Sequence, residues 1–256
     1  MSSGSPVLAR SPIIEAVVDI DCDLPADLEF ADLEAQATER FSDHYPGFRR
    51  IFRPTRHPLV WQASPPQLDV RAATDAFQLF SDAQLVQVRR GGFSFNRFRP
   101  YENLDAYLPE IKRTWKIFMD LVSPVAVRRI GLRYINRIFL PPGEDIVDLS
   151  EYLNLGSKLP EDVSLSFTSV LNEYSAVEDL TGNDVKVRIV IDEQEKRPWL
   201  RENPPLPVIL DIAGSHRGSL DPQVWENIES AIHALRRMDD AIFQSTLTER
   251  CLDLFR

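Results

Sequence analysis

The sequence predicts an α+β fold: two tandem β-α-β-β-β-α half-domains related by pseudo-two-fold duplication, their antiparallel sheets covered by helices. Three observations predict it. Several segments alternate apolar and polar residues with a period of two, the spacing of a half-buried strand. Two long segments, around 104–122 and 225–242, carry apolar residues at helical spacing. The order strand, helix, three strands, helix occurs twice, with its division near Ser123-Pro124. The expected organisation is a disordered N-terminal tail over 1–11, a first half-domain over 12–123 and a second over 124–256.

Taken in order, the tail is rich in Ser and Gly, and Pro12 opens a strand from Ile13 to Leu24. Ile14, Ala16, Val18, Ile20 and Cys22 share one face of it; Glu15, Val17, Asp19, Asp21 and Asp23 share the other. A helix is expected over 28–44, with Leu33, Ala37 and Phe41 in register. Residues 45–58 look irregular and basic, and a strand is expected at 59–63. Phe77–Ser81 and Gln84–Arg90 form a predicted hairpin, Gly91-Gly92 turns the chain, and Phe93–Arg99 is the next strand. Asn103 is placed to cap a helix over 104–122, in which Pro109 takes an interior position.

The second half opens with residues 125–140, β-branched and aromatic, bounded by Pro124 and Pro141. Ile130, Leu132, Tyr134, Asn136, Ile138 and Leu140 fall on one face. Arg129, Gly131, Arg133, Ile135, Arg137 and Phe139 fall on the other, a ladder of guanidinium groups. A short helix at 149–153, strands at 163–174, 185–191 and 208–213, a Pro-rich loop at 197–207, a helix capped by Asp221 and a short final helix complete the chain. In a pseudo-symmetric pairing of the two opening strands, Glu15, Asp19, Asp21 and Asp23 face Arg129, Arg133 and Arg137.

The net charge is −10, which disfavours general affinity for nucleic acid or membrane, both anionic. The average hides an asymmetry: residues 85–140 hold 11 Lys+Arg against 4 Asp+Glu, or +7, leaving −17 for the remainder. A basic middle in an acidic chain implies either internal ion pairs or a local anion site. The 2 cysteines, Cys22 and Cys251, have no metal or redox spacing and are expected as buried thiols. No apolar leader or membrane-length run is present, so a cytoplasmic location is the default expectation.

Pro12-Ile13-Ile14-Glu15-Ala16-Val17, the 77–88 hairpin, a Trp-containing helix and Gly131-Leu132-Arg133-Tyr134-Ile135-Asn136-Arg137-Ile138 together resemble a sporadically distributed bacterial protein family of unassigned function. The C-terminal helix with Phe243 and Thr248 is similar to that family's ending, so the resemblance spans nearly the whole chain. It implies no reaction and no cofactor. Patchy distribution is frequent among defence and toxin–antitoxin genes, an analogy rather than a physical inference.

The candidate ligand- or partner-binding residues are Arg129, Arg133, Arg137, Tyr134, Asn136, Arg97 and Arg99. Guanidinium forks hold phosphate or carboxylate, and Phe93, Phe95 and Phe98 interleave with the arginines as stacking surfaces would. The competing reading is ion pairing with the acidic first strand. Asp19, Asp21 and Asp23 are spread too far along a strand for a cation cage. The 4 histidines share no spacing, and His216 is expected on a loop. No Walker, GxGxxG, HExxH or GxSxG motif occurs. The functional expectation is a non-catalytic binding protein that recognises a protein partner, or a second copy of itself, in a defence or toxin–antitoxin setting. The alternatives are an anion or nucleic-acid-binding module using the arginine ladder and an enzyme with a distributed site. No catalytic residue, metal or cofactor is assigned.

Overall fold

The computed structural model of the protein describes residues 10–52, 74–141, 148–156, 169–192 and 205–256. The expected α+β class is observed, as one sheet rather than separate sheets. Its strands are β1 Ile13–Asp23, β2 Gly47–Phe52, β3 Thr74–Phe80, β4 Gln84–Arg89, β5 Gly92–Phe98, β6 Ala126–Leu140, β7 Ser169–Val177, β8 Asp184–Asp192 and β9 Leu206–Leu220. They lie in the order β2-β3-β4-β5-β1-β6-β9-β8-β7, and neighbours run antiparallel. The helices are α1 Leu33–Phe41, α2 Leu104–Val122, α3 Trp225–Thr246 and α4 Glu249–Leu252.

β1 and β6 pair at the centre, with Val18 opposite Leu132 and Asp21 opposite Arg129. Period-two alternation then separates the faces. Ala16, Val18 and Ile20 of β1 and Ile130, Leu132 and Ile138 of β6 are buried beneath the helices. The core runs along this side as two clusters. One joins α1, α2 and much of α3 to β1, β3, β4, β5 and β6; the other joins α4 to β8, β9 and the far end of β6. Asn136, 1% exposed, sits on β6 between Tyr134 of the first cluster and Ile138 of the second, and donates to the Leu210 carbonyl at 3.1 Å. A buried amide needs such a partner. Asn103 caps α2 through the Ala106 amide, and Trp115 stacks on Phe118 while its indole donates to the Pro222 carbonyl.

A register shift recurs on both flanks of Arg128. The extra residue keeps Val127 buried and turns Arg128 out to solvent, where strict alternation would have buried it.

Several expectations need correction. Residues 47–52 form a strand. Its alternation is obscured because this edge strand carries Arg49 and Arg50, which pair with Gln78 and Glu34. β9 continues to Leu220, so His216 lies in a strand, opposite Ile130 of β6, and not on a loop. A short 3-10 turn at Phe30–Asp32 and α1 replace the single helix expected over 28–44. Asp221 accepts from the Gln223 amide in the turn before α3, which begins at Trp225. The expected strand at 59–63, the start of that at 163–174 and residues 1–9 of the tail lie outside the described residues. Arg10 is held in place, its amide donating to the Phe255 carbonyl.

Candidate functional site

The face of the sheet turned away from the helices carries the arginines. At its centre Asp19 and Asp21, two apart on β1, are clasped from both sides. Arg89 of β4 reaches over β5 and donates to Asp21 at 2.6 Å and to Asp19; Arg129 of β6 donates to Asp21 at 2.6 Å and to Asp19. Glycines make this possible. Gly92 stands between Arg89 and Asp21 in the cross-strand row, and Gly131 stands opposite Asp19. A Cβ at Gly131 would come within 2.8 Å of the Arg129 guanidinium. At Gly92 the backbone itself demands glycine: φ is +147°, and a Cβ would meet the Ile20 carbonyl oxygen at 2.0 Å. Burial opposes ionisation of Asp21, but hydrogen bonds from Arg89 and Arg129 outweigh it and hold its carboxyl below the usual range.

Arg133 is placed differently from the expectation. It lies opposite Val17 on β1 and forms a two-pronged pair with Asp211 of β9, at 2.7 and 2.6 Å. Arg128 pairs with Asp23 and reaches Ser219. The ladder from Arg89 to Arg133 is thus matched by aspartates.

The far end of β6 is different. Arg137 and Phe139 there, Arg99 and Tyr101 beyond β5, the segment opening β1, and Phe255 wall a cleft of about 720 Å³. Arg10 is the third guanidinium on its wall, and no acidic side chain lines it among the described residues. The walls are tied together by backbone: the Arg137 amide donates to Pro12 and the Arg10 amide to Phe255. Arg137 lies over the Phe139 ring, 5.4 Å from its centroid. Tyr101 packs edge-on against Tyr134, their hydroxyls 3.3 Å apart. Burial pushes the Tyr101 phenol up to about 12 and Tyr134 well above the ordinary range, so both stay neutral.

Of the candidate residues, Arg137 and Arg99 come together in this cleft. Arg97 braces its rim, donating to the Pro100 carbonyl at 3.0 Å and lying 4.6 Å from the Tyr107 ring centroid. Arg129 and Arg133 belong to the ion-paired ladder, and Tyr134 and Asn136 to the core. Sequence reasoning missed Arg10 and Phe255. They come from opposite ends of the chain, and nothing local signals that they meet.

Other chemistry-bearing groups are occupied structurally. His216 Nδ1 lies 3.0 Å from the Asn183 amide oxygen, and burial pushes the Cys22 and Cys251 thiols up to about 12. Among the described residues no cluster of three His, Cys, Asp or Glu side chains is placed to hold a metal, and no helix is long and apolar enough to cross a membrane. On α3, Asp239 is 1% exposed, with no side-chain partner among the described residues and only the Gly214 backbone favouring its charge. Burial, with the Asp240 charge beside it, pushes its pKa well above the ordinary range.

No protein-family model matches the chain, and no curated protein matches it.

Proposed function

We propose that this chain is a non-catalytic binding protein whose ligand presents an anionic group to the cleft formed by Arg10, Arg99 and Arg137. One observation carries the reading: among the described residues, three guanidinium groups and no carboxylate line a single cleft, in a chain of net charge −10. Guanidinium groups gathered in one recess of an acidic molecule attract anions locally while the remaining surface repels them. The anion-binding alternative thereby moves from the ladder, whose arginines already hold aspartates, to the end of the sheet. The test is anion-dependent melting. Pyrophosphate is expected to raise the melting temperature of the wild type and to leave that of Arg99→Ala unmoved. Arg133→Ala, in the ladder, is expected to melt lower but to keep the full pyrophosphate response. A response lost in Arg133→Ala and kept in Arg99→Ala would return the site to the ladder.

Two half-domains related by duplication underlie this reading. In support, counting outward from the β1–β6 pair matches β5 with β9, β4 with β8 and β3 with β7, leaving β2 over. The closing helices α2 and α3 cover the same side. We also keep membership of the sporadically distributed bacterial family, and a reducing cytoplasmic setting in which two buried thiols stay free, as proposals.

Recognition of a protein partner in a defence or toxin–antitoxin setting is the second reading. Its support is apolar surface along β7, the last strand of the sheet among the described residues: Leu171 and Val177 are 70% and 59% exposed. A partner retained by the wild type and lost from Leu171→Glu would favour it; equal retention would remove the edge from consideration.

A further inference from the structure

We infer that β7 is a self-pairing surface: two copies of the chain meet antiparallel along it, about a two-fold axis at Tyr174, and join their sheets. This narrows the protein-partner reading to a second copy and rests on the same strand. The two ends of the sheet differ. β2, the last strand at one end among the described residues, is guarded. Arg49 and Arg50 stand exposed in it, and its pairing with β3 shifts register between Ile51 and Phe52. Charged side chains and bulges keep an edge strand from pairing with other chains. β7, the last strand at the other end among the described residues, has neither device. Its 9 residues hold no Lys, Arg or Pro and a single charge, Glu173, and they pair with β8 in unbroken register. Residues 173–177 are all exposed, so solvent reaches both faces of the strand there.

The side chains select the occupant. Val170 faces the core, so alternation puts Leu171, Glu173, Ser175 and Val177 on the opposite face, where Leu171 and Val177 are 70% and 59% exposed. An antiparallel copy centred on Tyr174 sets Leu171 opposite Val177 of the second copy and Val177 opposite its Leu171. Each Glu173 then faces Ser175, and its charge is already held by Arg188 at 3.0 Å and Lys186 at 3.1 Å. Tyr174, 38% exposed, meets its own counterpart across the axis. A register centred on residue 173 instead sets Glu173 against Glu173 and both apolar side chains against serines. Apolar and aromatic cross-strand pairs stabilise a ladder, and like charges directly opposite destabilise it. A two-fold contact uses the same strand on both sides, so it closes on itself.

Sedimentation equilibrium of the full chain tests this. One strand pair is a small interface, so a dimer with a dissociation constant of about 1–100 µM is expected. Leu171→Lys and Val177→Lys should each weaken it about 10-fold or more, because the new charge meets an apolar side chain. Both positions are largely exposed in the single chain, so the variants are expected to fold, and circular dichroism checks this. Oxidation reads the register. Opposed residues of antiparallel strands have Cα atoms roughly 4.5–5.5 Å apart, within the reach of a disulfide. Tyr174→Cys is expected to give a disulfide-linked dimer. Leu180→Cys, at a position 93% exposed but beyond the end of β7, is expected to give little; Cys22 and Cys251 are buried. A wild type still monomeric at millimolar concentration would overturn the inference. If that monomer captured a host protein that Leu171→Glu lost, the partner reading would stand without it. A dimer indifferent to both lysines, with Tyr174→Cys cross-linking no faster than Leu180→Cys, would place the contact elsewhere and overturn the inference too.

Discussion

Arg129 and Arg137 sit eight residues apart on the same face of one strand, and the neighbouring strands meet them differently. At Arg129 the neighbouring strand presents Asp21 directly opposite and Asp19 two residues on, with glycine gaps through which two guanidiniums converge. At Arg137 the first strand is just beginning. It offers Pro12, Ile13 and a carbonyl, and β9 offers Ile209. The residue type is the same; the register decides its fate. An arginine on a strand is tied into the sheet where a carboxylate stands within reach on the next strand, as at Arg129, and turns to other neighbours where the adjoining strands offer none, as at Arg137, whose guanidinium lies over the Phe139 ring.

The largest effect is expected from removing the aspartates. Asp19→Ala with Asp21→Ala leaves Arg89 and Arg129 half-buried without their acids. A loss of about 2–4 kcal/mol in urea denaturation is expected, less than for a fully buried pair because solvent reaches these groups. The same variant should gain a second pyrophosphate site by calorimetry, since the centre would then resemble the end. Unchanged stoichiometry would show that register alone does not separate the two regions.

Gly131→Ala is next. Its methyl group displaces the Arg129 guanidinium, a flexible end, so about 1 kcal/mol is expected. The sharper readout is the Asp21 carboxyl in a carbon-detected NMR titration, which should rise toward its ordinary value.

Acid pH separates an aspartate clasped by arginines from one buried without a cation. The folded pKa of Asp21 is depressed. Its contribution is therefore complete above the unfolded value of about 3.8 and is lost as pH falls through the folded pKa. Asp239 is the inverse. Its folded pKa is raised, so stability declines as pH climbs above 3.8 toward the folded value. Asp239→Asn should therefore raise stability at neutral pH and flatten its pH dependence. A variant less stable than wild type at pH 7 would mean that the carboxylate has a partner in solution.

The smallest effect on stability belongs to Arg99→Ala, within about 0.5 kcal/mol, as for an exposed side chain paired with no acid among the described residues. Its melting curve should be that of the wild type without ligand and differ only when pyrophosphate is present.

The strands β1 and β6 and the helix α2 were legible because alternation and 3.6-residue spacing are local signals. Pairing of Arg129 with the acidic first strand was legible too, since complementary charges two residues apart imply adjacency. Arg133 was not, because its acid, Asp211, comes from a strand whose register no local pattern reveals. β2 was hidden by its arginines, and the cleft by its assembly from distant segments. Asp239 was a missed signal: the stripe Ile228, Ile232, Leu235 and Ile242 passes through position 239, so helical spacing already buried an acid there.

Residues 10–13 and 254–255 stand at opposite ends of the sequence, yet they complete one wall between them. Joining them closes a very long loop, and such closures come late in folding. The recess is therefore one of the last parts of the fold to close, after the sheet that carries it.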